Sequence, residues 1–110
     1  MDINMLTLLN EESYAHTLVG TGQGMLIGFK KLCPHCKNME KVLEKCADRL
    51  PELTLLGLDA EENPEDCAQL GLERAPTILI LRRGTVVGRM AGLMNPKELC
   101  AFYQQSMRTA

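Results

Sequence analysis

Two thiols three residues apart, Cys33 and Cys36, enclose a proline and a histidine in the run Cys33-Pro34-His35-Cys36. On a helix this separation puts both sulfurs on one face. Helical Cα atoms at that spacing lie about 5–6 Å apart, within disulfide range, so the pair can cycle between dithiol and disulfide without moving the backbone. Pro34 suits the first position of a helix, where its missing N–H is no loss, which makes Cys33 the cap residue at the positive end of the helix dipole. Cys33 therefore faces unpaired N–H groups and is expected to ionise easily, whereas Cys36 sits shielded inside the first turn. Cys33 is assigned as nucleophile and Cys36 as resolving thiol. The Cys33 thiolate attacks a substrate disulfide, and Cys36 then attacks Cys33 to release the product; dithiol oxidation runs the same steps backwards.

Other chemistries fit less well. Cys33, His35 and Cys36 are all zinc-ligand types, but a structural site needs four ligands, and there is no second Cys-x-x-Cys and only one other histidine, His16. Covalent haem requires histidine directly after the second cysteine, where Lys37 stands. Cys46, Cys67 and Cys100 each fall singly in an apolar helical stripe and read as packing residues. Gly20-x-Gly22-x-Gly24 precedes a strand instead of joining a strand to a helix, so it reads as a linker and not a phosphate loop. His16 reads as a solvated surface residue, and the acids from Asp59 to Asp66 lack calcium-loop spacing.

The chain has 110 residues, of which 45% are hydrophobic and 24% charged. That length suits one domain spanning residues 1–110. Its 12 basic and 14 acidic side chains provide no field for a phosphate backbone, so nucleic acid is not an expected partner. No apolar stretch approaches the ~18–20 residues of a membrane span. An acid at position 2 and an apolar run that soon ends at Asn10-Glu11-Glu12 do not resemble a signal peptide. With five cysteines, an odd number, the expectation is a cytoplasmic thiol protein.

Turn signals divide the chain into the elements that must position the thiols. Leu6 to Leu9 reads as a short strand, Glu11 to Val19 as a helix, and Met25 to Lys30 as a strand. Pro34 to Leu50 is helical, with Met39, Val42, Leu43, Cys46 and Leu50 on one stripe, and Pro51 closes it. Leu53 to Leu58 reads as a strand buried on both faces and Asn63 onward as a helix ending near Gly71. Thr77 to Leu81 and Thr85 to Met90 form a hairpin around Arg82-Arg83-Gly84. Asn95-Pro96-Lys97-Glu98 opens a last helix through Met107. The order βαβαβαββα predicts an α/β protein, a central mixed sheet flanked by helices.

These features together resemble the thioredoxin superfamily over nearly the whole chain. The residues that carry the resemblance are Cys-x-x-Cys opening a helix after a strand, then Ala75-Pro76-Thr77, Gly84-x-Val86 and Gly92. The resemblance implies a thioredoxin fold, a cis Pro76 packed beside the cysteines, Ala75 offering backbone hydrogen bonds to an extended substrate, and Gly92 flanking the substrate groove. It also implies protein thiols and disulfides as partners, a thioredoxin-reductase-like enzyme as a further one, a monomer, and no cofactor or metal beyond the redox-active disulfide. The departures are specific. Leu32 takes the place of the tryptophan before the first cysteine and is counted among the substrate-contacting residues, and the chain has no tryptophan. Where the family places a buried aspartate that takes the proton from the resolving thiol, the matching position reads as Gly28. The Pro34-His35 pair resembles that of DsbA-type oxidases, whose inserted helical domain does not fit into 110 residues.

His35, as a donor beside Cys33, stabilises the thiolate and with it the reduced protein, and Lys30, Lys31, Lys37 and Lys41 add charge that Glu40 and Glu44 partly offset. Lowering a thiol pKa from about 7 to about 5 favours the reduced form at pH 7 by roughly 2.3 kcal/mol, or about 50 mV for two electrons. Set against thioredoxin's roughly −270 mV, the expectation is about −220 mV. The sequence thus points to a thiol–disulfide oxidoreductase biased towards isomerisation or oxidation and poor as a general reductase. The alternatives are a dedicated electron donor to one partner and a metal-binding module.

Overall fold

A computed structural model of the chain describes residues 6–8, 20, 22–30, 33–50, 53–72 and 76–109. Among these, five strands and three helices are β1 (Leu6–Leu8), β2 (Gln23–Phe29), α1 (Pro34–Arg49), β3 (Thr54–Asp59), α2 (Pro64–Leu70), β4 (Thr77–Arg82), β5 (Thr85–Ala91) and α3 (Pro96–Thr109). The helix expected over residues 11–19 and the linker residue Thr21 lie outside the described residues. The strands form one sheet in the order β1-β3-β2-β4-β5. β1, β3 and β2 run parallel, and β4 and β5 are antiparallel. The expected mixed sheet with helices on its faces is therefore present.

Period-two alternation divides the strand side chains between two cores. On one face Met25 and Ile27 of β2, Leu55 of β3 and Ile78 and Ile80 of β4 pack with Met39, Leu43 and Cys46 of α1 and Leu99 and Tyr103 of α3. On the other, Leu26, Leu56, Leu58, Leu79 and Leu81 pack with Cys67 and Leu72. The continuous apolar run of β3 follows from being covered on both sides.

Local chemistry sets the ends of the elements. The Asn95 side chain accepts from the Glu98 N–H at 2.8 Å while the Asn95 N–H donates to the Glu98 carboxylate at 3.0 Å, a reciprocal capping box that starts α3 where the sequence places it. Arg83 and Gly84 both take positive φ in the two-residue turn between β4 and β5, as a tight hairpin requires. The Arg89 guanidinium donates to the Leu70 and Gly71 carbonyls at 2.7 and 3.0 Å, closing the end of α2.

Gly28 has a steric role. A Cβ there would stand 2.8 Å from the Leu72 Cβ, so the chain after α2 lies directly on β2. This corrects the sequence reading of Gly28 as the counterpart of the family's buried acid. Gly28 faces Leu72 and α2, and the neighbouring position that faces α1, the helix carrying Cys36, is Ile27. Neither is a carboxylate. Gly28→Ala is expected to cost about 1–3 kcal/mol by overpacking, read as a lower urea midpoint with an unchanged slope. An unchanged midpoint would mean that Leu72 can retreat without loss.

Candidate active site

The end of β2 delivers the chain to Cys33, which caps α1 in an extended conformation with Pro34 as the first helical residue. Its carbonyl accepts from the Cys36 and Lys37 N–H groups at 3.1 and 3.3 Å, so the helix begins at this residue. The Cys36 N–H also donates to the Cys33 Sγ at 3.3 Å. The Cys33 sulfur thus does the work that an N-cap oxygen does elsewhere, with a backbone donor pointing at it.

Electrostatics separates the two thiols. Cys33 is held below the ordinary thiol value of 9.0, first by the Cys36 thiol, then, against some desolvation, by the Cys36 and His35 backbone N–H groups and the Lys30 charge. Cys36 is only 2% exposed. Burial, the hydrogen bond to Cys33 and the charges of Cys33 and Glu40 outweigh a backbone hydrogen bond from Lys30 and push it up to about 11. Glu40, one turn further along α1, is itself raised by burial and by Glu44, with Lys37 opposing. At neutral pH the pair is one partly exposed thiol held below the ordinary value and one buried thiol that keeps its proton. This is the asymmetry expected from the sequence, but the route differs for His35. Its imidazole is exposed, and the contact through which it stabilises Cys33 is its backbone N–H.

Register brings the remaining site residues to the same end of the sheet. Gly28 of β2 pairs with Thr77 of β4, so Pro76 lies beside the end of β2 that leads to Cys33. Thr77 pairs with Ala91, and the Gly92 N–H donates to the Pro76 carbonyl at 3.0 Å. Pro76 is buried, and Gly92 adopts φ 97°, a conformation that L residues rarely take, with open space where a side chain would project. The arrangement holds Pro76 and Gly92 together at the end of the sheet from which the chain leads to Cys33. Leu32 and Ala75 lie outside the described residues, and the Ala75–Pro76 bond with them.

The other three cysteines are not alike. Cys67 is buried on the α2 face and raised to about 11 by burial and by Asp66 and Asp59. Cys46 and Cys100, read as packing residues, both join the core that α1 and α3 share, Cys46 covered and Cys100 half-buried. Burial, followed by the influence of the Cys100 thiol, raises Cys46 to about 12. Because Cys36, Cys46 and Cys67 bind their protons more tightly folded than unfolded, the reduced protein is expected to lose stability as pH rises above about 9. Cys33, lowered in the fold, has the opposite effect and adds stability as pH approaches 9 from below. Urea midpoints of the reduced protein between pH 6 and 11 should therefore show a maximum, and a monotonic profile would contradict the burial of these thiols.

A mixed sheet with a Cys-x-x-Cys helix start and a proline beside it defines a dithiol–disulfide exchange protein. The thioredoxin family model matches residues 5–105, and the chain belongs to this family. The reduced desulfothioredoxin of Desulfovibrio vulgaris Hildenborough is similar to it with 38% identity and a TM-score of 0.78, over 89% of this chain and 95% of that one. The thioredoxin of Chlamydia muridarum is 30% identical over 95 residues, 86% of this chain and 92% of its own length. A disulfide bond formation protein of Brevibacillus choshinensis is 29% identical over 79 residues, 70% of this chain and 67% of its own. The chain is a thioredoxin-family thiol–disulfide oxidoreductase. None of its described helices is long and apolar enough to cross a membrane.

Proposed function

We propose that the chain is a weakly reducing member of its family, suited to isomerising or forming disulfides in protein substrates and poor as a general reductase. The observation that carries this reading is the uneven pair itself, a Cys33 held low and a Cys36 raised to about 11 with no carboxylate at either Ile27 or Gly28. A stabilised Cys33 thiolate favours the dithiol form and is a good leaving group, so bound substrates are released readily. A Cys36 without a built-in base resolves mixed disulfides slowly, which leaves time for rearrangement. Cys33 and Cys36 carry the electrons with no added cofactor or metal, His35 and Pro34 tune the pair, and Pro76 and Gly92 with Leu32 and Ala75 receive an extended substrate. We place the protein in the cytoplasm as a monomer, with protein thiols and disulfides as substrates and a thioredoxin-reductase-like enzyme able to recharge it. Neither nucleic acid nor a membrane is a partner in this reading.

Equilibration against graded glutathione buffers, with the Cys33–Cys36 state read by alkylation and mass, is the direct test. A potential near −220 mV is expected, and one near thioredoxin's roughly −270 mV would reject the proposal. The thioredoxins among its relatives favour a second reading, a dedicated electron donor to one partner protein. Capture by Cys36→Ser separates the two, since one dominant disulfide-linked partner supports the donor and many support the isomerase.

His35 offers an internal check. His35→Pro removes both the imidazole and the backbone N–H that reaches Cys33, whereas His35→Ala removes only the imidazole. His35→Pro is expected to shift the potential towards more reducing values, by up to about 50 mV, and His35→Ala to leave it nearly unchanged. Equal shifts would assign the whole effect to the ring.

A further inference from the structure

Helix α3 carries an exposed stripe that neither core covers. Lys97, Ala101, Gln104 and Arg108 follow one another at spacings of four, three and four, which places them on a single helix face, and all are exposed. Two clefts open along this stripe and share Gln104. One, of about 310 Å³, lies between α3 and the end of α1, where Arg49 and Leu50 line it together with Lys97 and Ala101. The other, of about 370 Å³, is lined by Gln23, Tyr103, Met107 and Arg108. Arg49, Lys97 and Arg108 thus border one trough, and among the described residues no acid lines either cleft. In a chain with 14 acidic and 12 basic side chains this is a local reversal of the overall charge. Glu98, the acid next to Lys97, is turned back to the Asn95 N–H.

We propose that this trough is a second contact surface, which docks an acidic extended segment of a protein partner away from the exchange site. Its dimensions favour such a segment. From Lys97 to Arg108 the stripe runs about 16 Å at 1.5 Å per residue, the length of about five extended residues. Carboxylates at one end of the segment meet Arg49 and Lys97, and those at the other meet Arg108, while Leu50, Ala101 and Met107 give apolar surface to short side chains between them. A phosphate backbone fits less well, because its charges repeat along the strand whereas these cations stand at the two ends. Docking leaves the dithiol free. Cys33 caps the start of α1 and Arg49 ends it, about 24 Å away along the helix. A flexible link of that reach lets a docked partner present its disulfide to Cys33 at raised effective concentration. The surface serves an isomerase and a dedicated electron donor alike, so it stands apart from the choice between them.

The probe is an acetylated and amidated peptide with two glutamates at each end and three alanines between, set against its glutamine counterpart. Each is titrated into the isotope-labelled full chain and followed by the NMR shifts of the backbone amides. Saturable shifts are expected at Arg49, Leu50 and along α3, with none at Cys33 or at Glu61 and Glu62, and the affinity should fall as salt is raised. The glutamine peptide is expected to leave the spectrum unchanged. Arg49→Glu/Lys97→Glu should weaken binding at least ~10-fold, and Arg49→Gln/Lys97→Gln, which adds no repulsion, by a smaller factor. Both variants should exchange an uncharged disulfide at Cys33 at the natural rate, which shows that they are folded. The absence of a saturable shift, shifts centred on other elements, or equal binding of the two peptides would overturn the proposal. Tighter binding of a single-stranded oligonucleotide in the same trough would overturn it in favour of nucleic acid. Concentration-dependent broadening of the α3 signals without peptide would overturn it in favour of a second copy of the chain.

Discussion

Cys33→Ser is expected to abolish disulfide exchange, by at least the ~10³-fold that accompanies loss of a covalent nucleophile. Cys36→Ser should instead retain the first step and accumulate mixed disulfides. The two outcomes differ because the structure makes the sulfurs unequal. Cys33 is the cap residue with the Cys36 N–H at 3.3 Å, and Cys36 is covered. A serine at position 33 keeps the cap and the fold, so the loss is chemical. Normal turnover in Cys33→Ser would move the nucleophile elsewhere, and a failure of Cys36→Ser to trap substrate would remove the resolving role.

The second large effect lies in the pH dependence of thiol labelling in the reduced protein. At pH 7 a thiol titrating at about 11 is only ~10⁻⁴ ionised, whereas one held below 9.0 exceeds ~10⁻². The thiolate ratio is therefore above ~100 in favour of Cys33. A less basic thiolate is intrinsically slower, by about tenfold over two pKa units, so Cys33 should react with iodoacetamide at least ~10-fold faster than Cys36. Burial of Cys36 widens that margin. The Cys33 rate should rise with pH through a midpoint below 9, while that of Cys36 is still climbing at pH 10. Glu40→Gln is expected to move the Cys36 titration downward, since the Glu40 charge is among the groups that hold it up. Comparable rates at pH 7, or a shared midpoint, would contradict the asymmetry on which the mechanism rests.

Much of this was legible before any coordinates, for local reasons. A Cys-x-x-Cys with proline inside it encodes its own helix start, and Asn95 with Glu98 encodes another. Both are carried by residues within one turn, and both appear in the fold. The division into two cores follows from strand alternation once the strands are found. What could not be read depends on distance and parity. The connection between β2 and Cys33 hides whether Ile27 or Gly28 faces α1, and a slip of one residue exchanges the faces. Likewise, periodicity assigns Cys46 and Cys100 to apolar stripes, but nothing local says that the two stripes meet in one core. For His35, side-chain type suggested the imidazole, while the structure brings in the backbone N–H, which every residue but proline possesses.

The hairpin β4–β5 has one more consequence, for what the protein does at high concentration. Among the described strands the sheet ends in β1 on one side and β5 on the other. β1 is three residues long. β5 breaks register between Ile80 and Leu81 of its partner strand and carries Arg89 along its length. Neither border is the long, flat, apolar ribbon that templates addition of another chain, since shortness, irregular pairing and charge each discourage it. In the proposed role, the protein can thus meet its substrates at the dithiol end without its own sheet templating their addition.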